Sequence, residues 1–290
     1  MRTGGPNLRE LLDEAIATLR AANVASPRTD AELLAAHVLG VPRGRLITAP
    51  DPDAGQQRAY RALVARRAAR EPLQHLTGTA PFRYLEVAVG PGVFVPRPET
   101  EQLVMWGLSW LRAAGIEQAR VADLCAGSGA IAIAVATEKP GTEVWAVERD
   151  VQAVRWLARN AAGTGVNVVV GDATDPAVLA DLDGTVDLVL TNPPYVPEVA
   201  RAGLPPEVVE HDPAPAVFAG TDGLDVIRPL IGRIAGLLRP GGALAMEHDD
   251  THAYVVPKLL DADGRFEAIE LHHDLARNPR FTTAVRRPEG

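Results

Sequence analysis

The sequence predicts an α/β fold, a seven-stranded doubly wound sheet preceded by a small all-helical domain. Three observations predict it. From Arg120 onward, apolar strand-like runs alternate with helical runs, the pattern of a parallel sheet with helices on both faces. A Gly-rich stretch, Asp123-Leu124-Cys125-Ala126-Gly127-Ser128-Gly129-Ala130, stands where the first of these strands hands over to its helix. Ahead of them, roughly the first seventy residues carry helical periodicity without strand alternation.

Asn7 followed by Glu10 resembles a capping box, and Leu8, Leu11, Leu12, Ala15, Ile16 and Leu19 then recur at helical spacing. A second helix starts near Thr29 and Asp30, carries Leu33, Leu34, His37 and Val38 on one side, and ends at Gly40 and Pro42. A third runs from Asp53 to Arg70 with Tyr60, Leu63 and Val64 inward, while Arg66, Arg67 and Arg70 read as a solvated positive face. Leu85, Val87 and Val89 alternate with Glu86, Ala88 and Gly90, and Val93 to Val95 follow a Pro-Gly turn, so residues 80–96 read as a small hairpin. A helix follows from Glu99 to Arg112.

The candidate strands beyond it are 120–125, 143–148, 167–171, 186–190, 242–247, 266–271 and 281–285. Helices are expected near 129–138, 150–162, 175–181, 223–238 and 250–262. Only the Asn278–Pro279 turn separates the last two strands, which suits an antiparallel pair at the sheet edge. The segment 196–222 is long, rich in Pro and acidic residues, and lacks periodicity, and ordered loops of that length are commonly functional. The expected domains are a helical one over 1–78, a hairpin linker over 79–98 and a larger α/β domain over 99–290.

Composition excludes several classes. Lys and Arg total 29 against 37 Asp and Glu, a net charge of −8, which disfavours broad affinity for nucleic acid phosphates. No apolar run approaches the roughly 20 residues that span a bilayer. Met1 to Arg9 is polar and shows no secretory signal, and the lone Cys125 allows no intrachain disulfide, so a cytoplasmic protein is expected. His211, His248, His272 and His273 lack zinc-like spacing, so no metal is expected, and no serine stands in a nucleophile elbow.

The glycines of the 123–130 loop let backbone approach a ligand closely. Glu148 closes the second strand, where a carboxylate can accept both ribose hydroxyls, and Asp172 follows the third strand toward an adenine. Gly127-x-Gly129-x-x-Ala132 also fits a dinucleotide fingerprint and leaves an NAD enzyme open. Asp123 argues the other way, since a carboxylate there repels a pyrophosphate and suits the sulfonium and ammonium groups of S-adenosylmethionine.

The fourth strand ends in Asn192-Pro193-Pro194-Tyr195. An amide or exocyclic amine is a weak nucleophile because its lone pair is delocalised, and two acceptors placed for its N–H groups localise that pair. The Asn192 side-chain oxygen and the Pro193 carbonyl can be those acceptors, Pro194 stiffens the turn, and Tyr195 covers the planar group. Glu247 ends the next strand, near enough for a water beside it to take the released proton.

Together these stretches resemble the HemK/PrmC family, the protein-(glutamine-N5) methyltransferases of class 1 peptide-chain release factors. The resemblance covers nearly the whole chain. It rests on Gly92-Val93-Phe94-Val95-Pro96-Arg97-Pro98-Glu99-Thr100-Glu101, the Asp123 loop, Asn192 to Tyr195, Pro213 to Phe218 with Asp222 to Asp225, and Pro240-Gly241-Gly242 before the strand ending in Glu247. It implies a Rossmann-like class I methyltransferase domain, a helical domain that docks the release factor, and transfer of a methyl group from S-adenosylmethionine to the glutamine of a Gly-Gly-Gln motif. In that reading Asp123, Cys125, Ala126, Gly127, Ser128, Gly129, Glu148, Asp172, Ala173 and Asn192 hold the cofactor. Asn192, Pro193, Pro194, Tyr195 and Glu247 hold the substrate, with Asn192, Pro193 and Tyr195 catalytic. A monomer without direct nucleic-acid binding is expected. The alternative is a DNA or RNA amino-methyltransferase, which shares Asn-Pro-Pro-Tyr but not the Pro-Arg-Pro-Glu-Thr-Glu run.

Two positions depart from the family pattern. Cys125 replaces the usual Gly and is read as a small buried filler on backbone that tolerates a Cβ. Ala173 stands where many relatives carry an aromatic after the acidic residue. Arg97 and Glu99 are expected to bridge the linker to the larger domain or shape the substrate channel.

Overall fold

A computed structural model describes residues 6–288, so the first five residues of the expected signal-free N-terminus lie outside the described part. The chain divides into two compact units. One runs through Thr79 and takes in Pro205–His211, and the other holds Ala80–Leu204 and the chain from Asp212.

In the first unit α1 (Leu8–Ala21), α2 (Pro27–Leu39), α3 (Ala54–Ala68) and α4 (Leu73–Thr77) enclose a core of Leu11, Leu19, Leu34, Tyr60 and Val64. Asn7 and Asp53 cap α1 and α3 with reciprocal capping boxes. The buried face of α2 is Ala31, Leu34, Ala35 and Ala36, and His37, expected inward, is exposed. Small alanines carry little hydrophobic signal, yet they let helices approach closely.

The arginine face of α3 is not uniformly solvated. Arg67 is 7% exposed, and its guanidinium meets Asp30 at 2.7 Å and Glu207 at 2.8 Å. Arg70 reaches the other oxygen of Glu207 at 2.6 Å, and only Arg66 pairs with a near neighbour, Glu71. Burial alone would raise the Glu207 carboxyl, but the hydrogen bonds from Arg70 and Arg67 outweigh it and hold it at about 2.

In the second unit β1 (Thr79–Phe82) and β2 (Leu85–Ala88) form the hairpin. Its turn lies at Arg83 and Tyr84, so Val93 and Val95 are not its partner strand. They are buried beside Phe82, Val87 and Leu103 in the main core, so the expected linker is part of this unit's interior. After α5 (Thr100–Ala113) come β3 (Arg120–Leu124), α6 (Ala130–Glu138), β4 (Glu143–Glu148), α7 (Val151–Ala161), β5 (Asn167–Val170) and β6 (Val186–Thr191). The chain next passes through α8 (Pro206–His211), which belongs to the first unit, and the second unit resumes with α9 (Ala214–Val217), α10 (Ile227–Leu237), β7 (Leu238–Glu247), α11 (Val255–Asp263), β8 (Phe266–His273) and β9 (Pro279–Arg286).

The seven-stranded sheet has the order β5-β4-β3-β6-β7-β9-β8. All pairings from β5 to β7 are parallel, while β9 is antiparallel to both β7 and β8, and the two edge strands are β5 and β8. One apolar cluster on each face packs it, one centred on Leu103, Val121 and Leu188, the other on Val189, Ile227 and Phe266.

The helix expected over 175–181 does not form. Asp172 and Asp175 turn their carboxylates onto the backbone N–H groups of Thr174 and Ala177, and Leu179 takes φ +60°, so these local bonds replace a helical ladder.

The 196–222 segment is ordered. Val196 N–H donates to Val217 at 2.9 Å, Ala219 N–H to Val196 at 3.0 Å and Glu198 N–H to Gly220 at 2.9 Å, closing the base of a long excursion. A 3-10 turn over 198–203, then α8 and α9, fill it; the abundance of Pro hid these short helices from periodicity.

Candidate active site

The sheet reverses its winding between β3 and β6, which are parallel neighbours, so the loops leaving them stand side by side at the carboxyl ends of the strands. Thr191 joins the two strand ends by donating its hydroxyl to the Leu124 carbonyl at 2.6 Å.

The loop after β3 is built by backbone geometry. Cys125, Gly127 and Gly129 have φ of +63°, +55° and +86°. At Gly129 the positive φ itself disfavours an L side chain, and a Cβ would lie 2.5 Å from the Leu157 Cδ1, which would have to move. At Gly127 a Cβ would meet nothing within 4 Å, so open space lies beside the loop there. The Glu148 carboxylate borders it and accepts the N–H of Gly127 at 2.8 Å on one oxygen and those of Arg149 and Asp150 on the other. Asn160 buttresses the loop, donating to Ser128 while it exchanges two hydrogen bonds with Ala88 of β2.

Three expected cofactor residues have surroundings of their own within the protein. Asp123 is fully buried and accepts the N–H of Ala132 at 3.0 Å, capping α6 from a distance because Gly129 has no side chain to do so. Burial drives its carboxyl well above the usual range, and Glu148 adds to this against the Ala132 hydrogen bond. Asp172 is partly exposed at the end of β5; hydrogen bonds from Thr174 and Arg149 keep it below the usual range despite burial. Ala173 is buried in the apolar cluster that holds Val189, Ile227 and Phe266.

Cys125 holds a left-handed conformation with its Cβ in place, which costs on the order of 1 kcal/mol relative to the usual Gly. Burial and then the Glu148 and Asp123 carboxylates raise its thiol, which makes a reactive thiolate unavailable at neutral pH. Cys125→Val is expected to cost about 2 kcal/mol in denaturant unfolding, because a β-branched side chain is far worse at this φ. Cys125→Gly is expected to stay within about 1 kcal/mol of the parent.

At the end of β6 the second half of the site is a hydrogen-bonded cluster. The Asn192 side-chain amide donates to the Thr100 hydroxyl at 3.3 Å. Thr100 donates to one oxygen of Glu247 at 2.7 Å, and the Tyr195 hydroxyl donates to the other at 3.0 Å. Glu247 is 1% exposed, so it backs Asn192 and Tyr195 instead of lying open to a substrate or to a water relay. Burial raises its carboxyl, opposed by the two hydroxyl donors and the charge of Arg280. Burial and the Glu247 charge raise the Tyr195 phenol well above its ordinary value.

His248 follows Glu247 and is completely buried. Its Nδ1 meets the Asp249 carbonyl, an acceptor only, so Nδ1 carries the proton and Thr282 donates to Nε2. Burial lowers its pKa to about 4, and the neutral ring pins the end of β7 to β9.

Sequence reading named Thr100 within a motif but assigned it no role. Its signal was the motif itself, since α5 begins at Thr100 and brings it under Asn192. Arg97 pairs with the buried carboxylate of Asp212 and lies 4.8 Å from the Phe94 ring centre, tying the same motif to the return of the 196–222 segment.

Gly223 locks the motif from the other side. With φ +78°, its missing Cβ would stand 2.2 Å from the Tyr195 carbonyl oxygen and 2.9 Å from His252, whose ring donates to the Asp222 carbonyl. Gly223→Ala is expected to cost about 2 kcal/mol by thermal unfolding, from left-handed strain plus the clash. It should also lower turnover, since the backbone of Tyr195 must move.

Among the described residues no group of three or more His, Cys, Asp or Glu side chains is disposed to hold a metal ion, and no helix is long and apolar enough to cross a membrane.

Known proteins match both units. The PrmC N-terminal domain family matches residues 10–78, and the methyltransferase small domain family matches 103–209. A protein of Mycolicibacterium smegmatis named release factor glutamine methyltransferase is 51% identical over 279 residues, 96% of this chain and 98% of that one. Its namesake in Streptomyces coelicolor is 49% identical over 93% of this chain and 95% of its own. A Streptomyces pristinaespiralis protein named 4-amino-L-phenylalanine/4-methylamino-L-phenylalanine methyltransferase is 41% identical over 92% of this chain and 91% of its own. Among solved structures, the hMettl16 catalytic domain in complex with a 3'UTR hairpin superposes with a TM-score of 0.56 at 16% identity, covering 78% of this chain and 82% of that one. At that identity the likeness concerns the fold.

Proposed function

The chain belongs to the release factor glutamine methyltransferase family, and from that membership we propose that it methylates the side-chain amide nitrogen of the glutamine in the Gly-Gly-Gln motif of class 1 release factors. The methyl donor is S-adenosylmethionine, whose sulfonium supplies an activated methyl group when bound. The residues present fit it: Gly127 leaves open space where a side chain would stand, and the Glu148 carboxylate bonded to its N–H is of the type that accepts ribose hydroxyls.

The observation that carries the reading is Asn192, held by Thr100 at the end of β6 beside the glycine loop. In this assignment the Asn192 oxygen and the Pro193 carbonyl accept the two N–H groups of the glutamine amide and localise its lone pair. Tyr195, held by Glu247, covers the planar group. Pro193 and Pro194 are both buried and restrict the turn, so the acceptors need no rearrangement. Asp123, Ser128 and Gly129 shape the loop, while Cys125, Ala126 and Gly127 supply its inner wall, and Asp172 faces the adenine end. Residues up to 78 form the docking domain. The enzyme works in the cytoplasm with its substrate, as a monomer.

The test is mass spectrometry of a class 1 release factor incubated with the protein and S-adenosylmethionine. A single methyl on the motif glutamine is expected. The 41%-identical relative named for 4-amino-L-phenylalanine shows why a parallel arm with that amine is needed. Methylation of the amine without methylation of the factor would overturn the substrate assignment, as would label that persists when the motif glutamine is replaced.

A further inference from the structure

Resting on the glutamine-amide reading above, we propose that Thr100 and Glu247 form a one-way hydrogen-bond relay that decides which end of the Asn192 amide faces the substrate. An asparagine amide is nearly symmetric in shape, but one end accepts and the other donates. Presented the wrong way, its NH2 group would point at the substrate's own N–H groups and repel them. Nothing in the Asn-Pro-Pro-Tyr stretch itself chooses between the two.

The choice is made behind it. Glu247, as a carboxylate, only accepts, and its two oxygens are taken by Thr100 at 2.7 Å and Tyr195 at 3.0 Å. The single hydroxyl proton of Thr100 is therefore committed to Glu247, which leaves the Thr100 oxygen as an acceptor. Only the NH2 end of Asn192 can satisfy it, and that is the 3.3 Å contact observed. The Asn192 oxygen is thereby turned toward the side from which the substrate comes. Thr100 is 4% exposed and Glu247 1%, so water does not compete for either group. Both are positioning residues, acting through Asn192.

Thr100→Val keeps the shape and removes the hydroxyl. Its kcat for methylation of the release factor is expected to fall about 100-fold, in line with losing one preorganised polar contact, with KM changed less than about threefold. Thr100→Ser should restore most of that loss. Glu247→Gln is expected to lower kcat similarly, because a carboxamide NH2 facing Thr100 frees the hydroxyl proton to point at Asn192 and reverse its amide. Calorimetry with S-adenosylhomocysteine should give the same affinity for all three variants as for the parent, which also verifies folding.

A double-variant cycle separates the relay from mere packing. In an Asn192→Ala background, Thr100→Val should cost nothing further, because the group it orients is gone. Full kcat in Thr100→Val, or an unreduced further loss in the Asn192→Ala background, overturns the relay. A parent protein that leaves the release-factor glutamine unmethylated overturns the functional reading instead, so the two failures are distinguishable.

Discussion

Asn192→Ala is expected to lower kcat for release-factor methylation about 1,000-fold while leaving binding of S-adenosylhomocysteine within about threefold of the parent. The amide nitrogen gains its nucleophilicity only when acceptors hold its two N–H groups, so the interaction is realised in the transition state and its loss appears in kcat. Asn192 sits at the end of a strand whose six residues are all buried, and its NH2 group is tied to Thr100. The substitution therefore removes one acceptor without loosening the strand. Single-turnover kinetics with labelled cofactor measure the step directly. A variant that retains full turnover would refute the acceptor role, whichever amine is methylated.

The second large effect concerns stability. Arg67→Met should destabilise the helical unit by about 3–5 kcal/mol, because it leaves Asp30 buried at 7% exposure without its charge partner and takes one of two arginines from Glu207. Denaturant unfolding followed by circular dichroism checks the magnitude. The same cluster gives a pH signature. Glu207 is held at about 2 in the folded chain, below its ordinary 4.5, so its stabilising contribution is complete above about 4.5 and disappears as the pH falls toward 2. In the Arg67→Met variant that acid-side loss should shrink, since part of the depression is gone. An unchanged unfolding midpoint would show that the ion cluster contributes nothing.

These two predictions draw on different sources of information. The Asn-Pro-Pro-Tyr motif was legible in the sequence because it is contiguous, and the chemistry proposed for it follows from residue type. The seven strands were legible too, and six of the seven expected ranges differ from the observed ones by at most two residues at either end. The exception, β7, starts at Leu238, earlier than its expected start at Gly242, because the strand continues across Pro240 and a register shift. Less visible were the alanine-lined face of α2, the short helices of the 196–222 excursion and which strand of the expected edge pair, β8 or β9, lies outermost. Alanine and proline blur periodicity, and strand order depends on packing between distant segments.

Sequence by itself determined the α/β class, the helical domain ahead of it, the glycine loop and the Asn-Pro-Pro-Tyr motif at the end of a strand. All of these are written in short-range patterns, in periodicity over one or two turns and in residue types within a single motif. Tertiary structure alone decided that Asp123 caps a helix, that Glu247 is closed off behind Tyr195, that Arg67 is buried between two carboxylates, and that Thr100 stands under Asn192. Thr100 lies 92 residues from Asn192 and 147 from Glu247, and Arg67 lies 37 from Asp30. Pairings across such separations leave no local periodicity. They exist because the folded core excludes water from those groups, and each buried donor and acceptor must then find its partner within the protein.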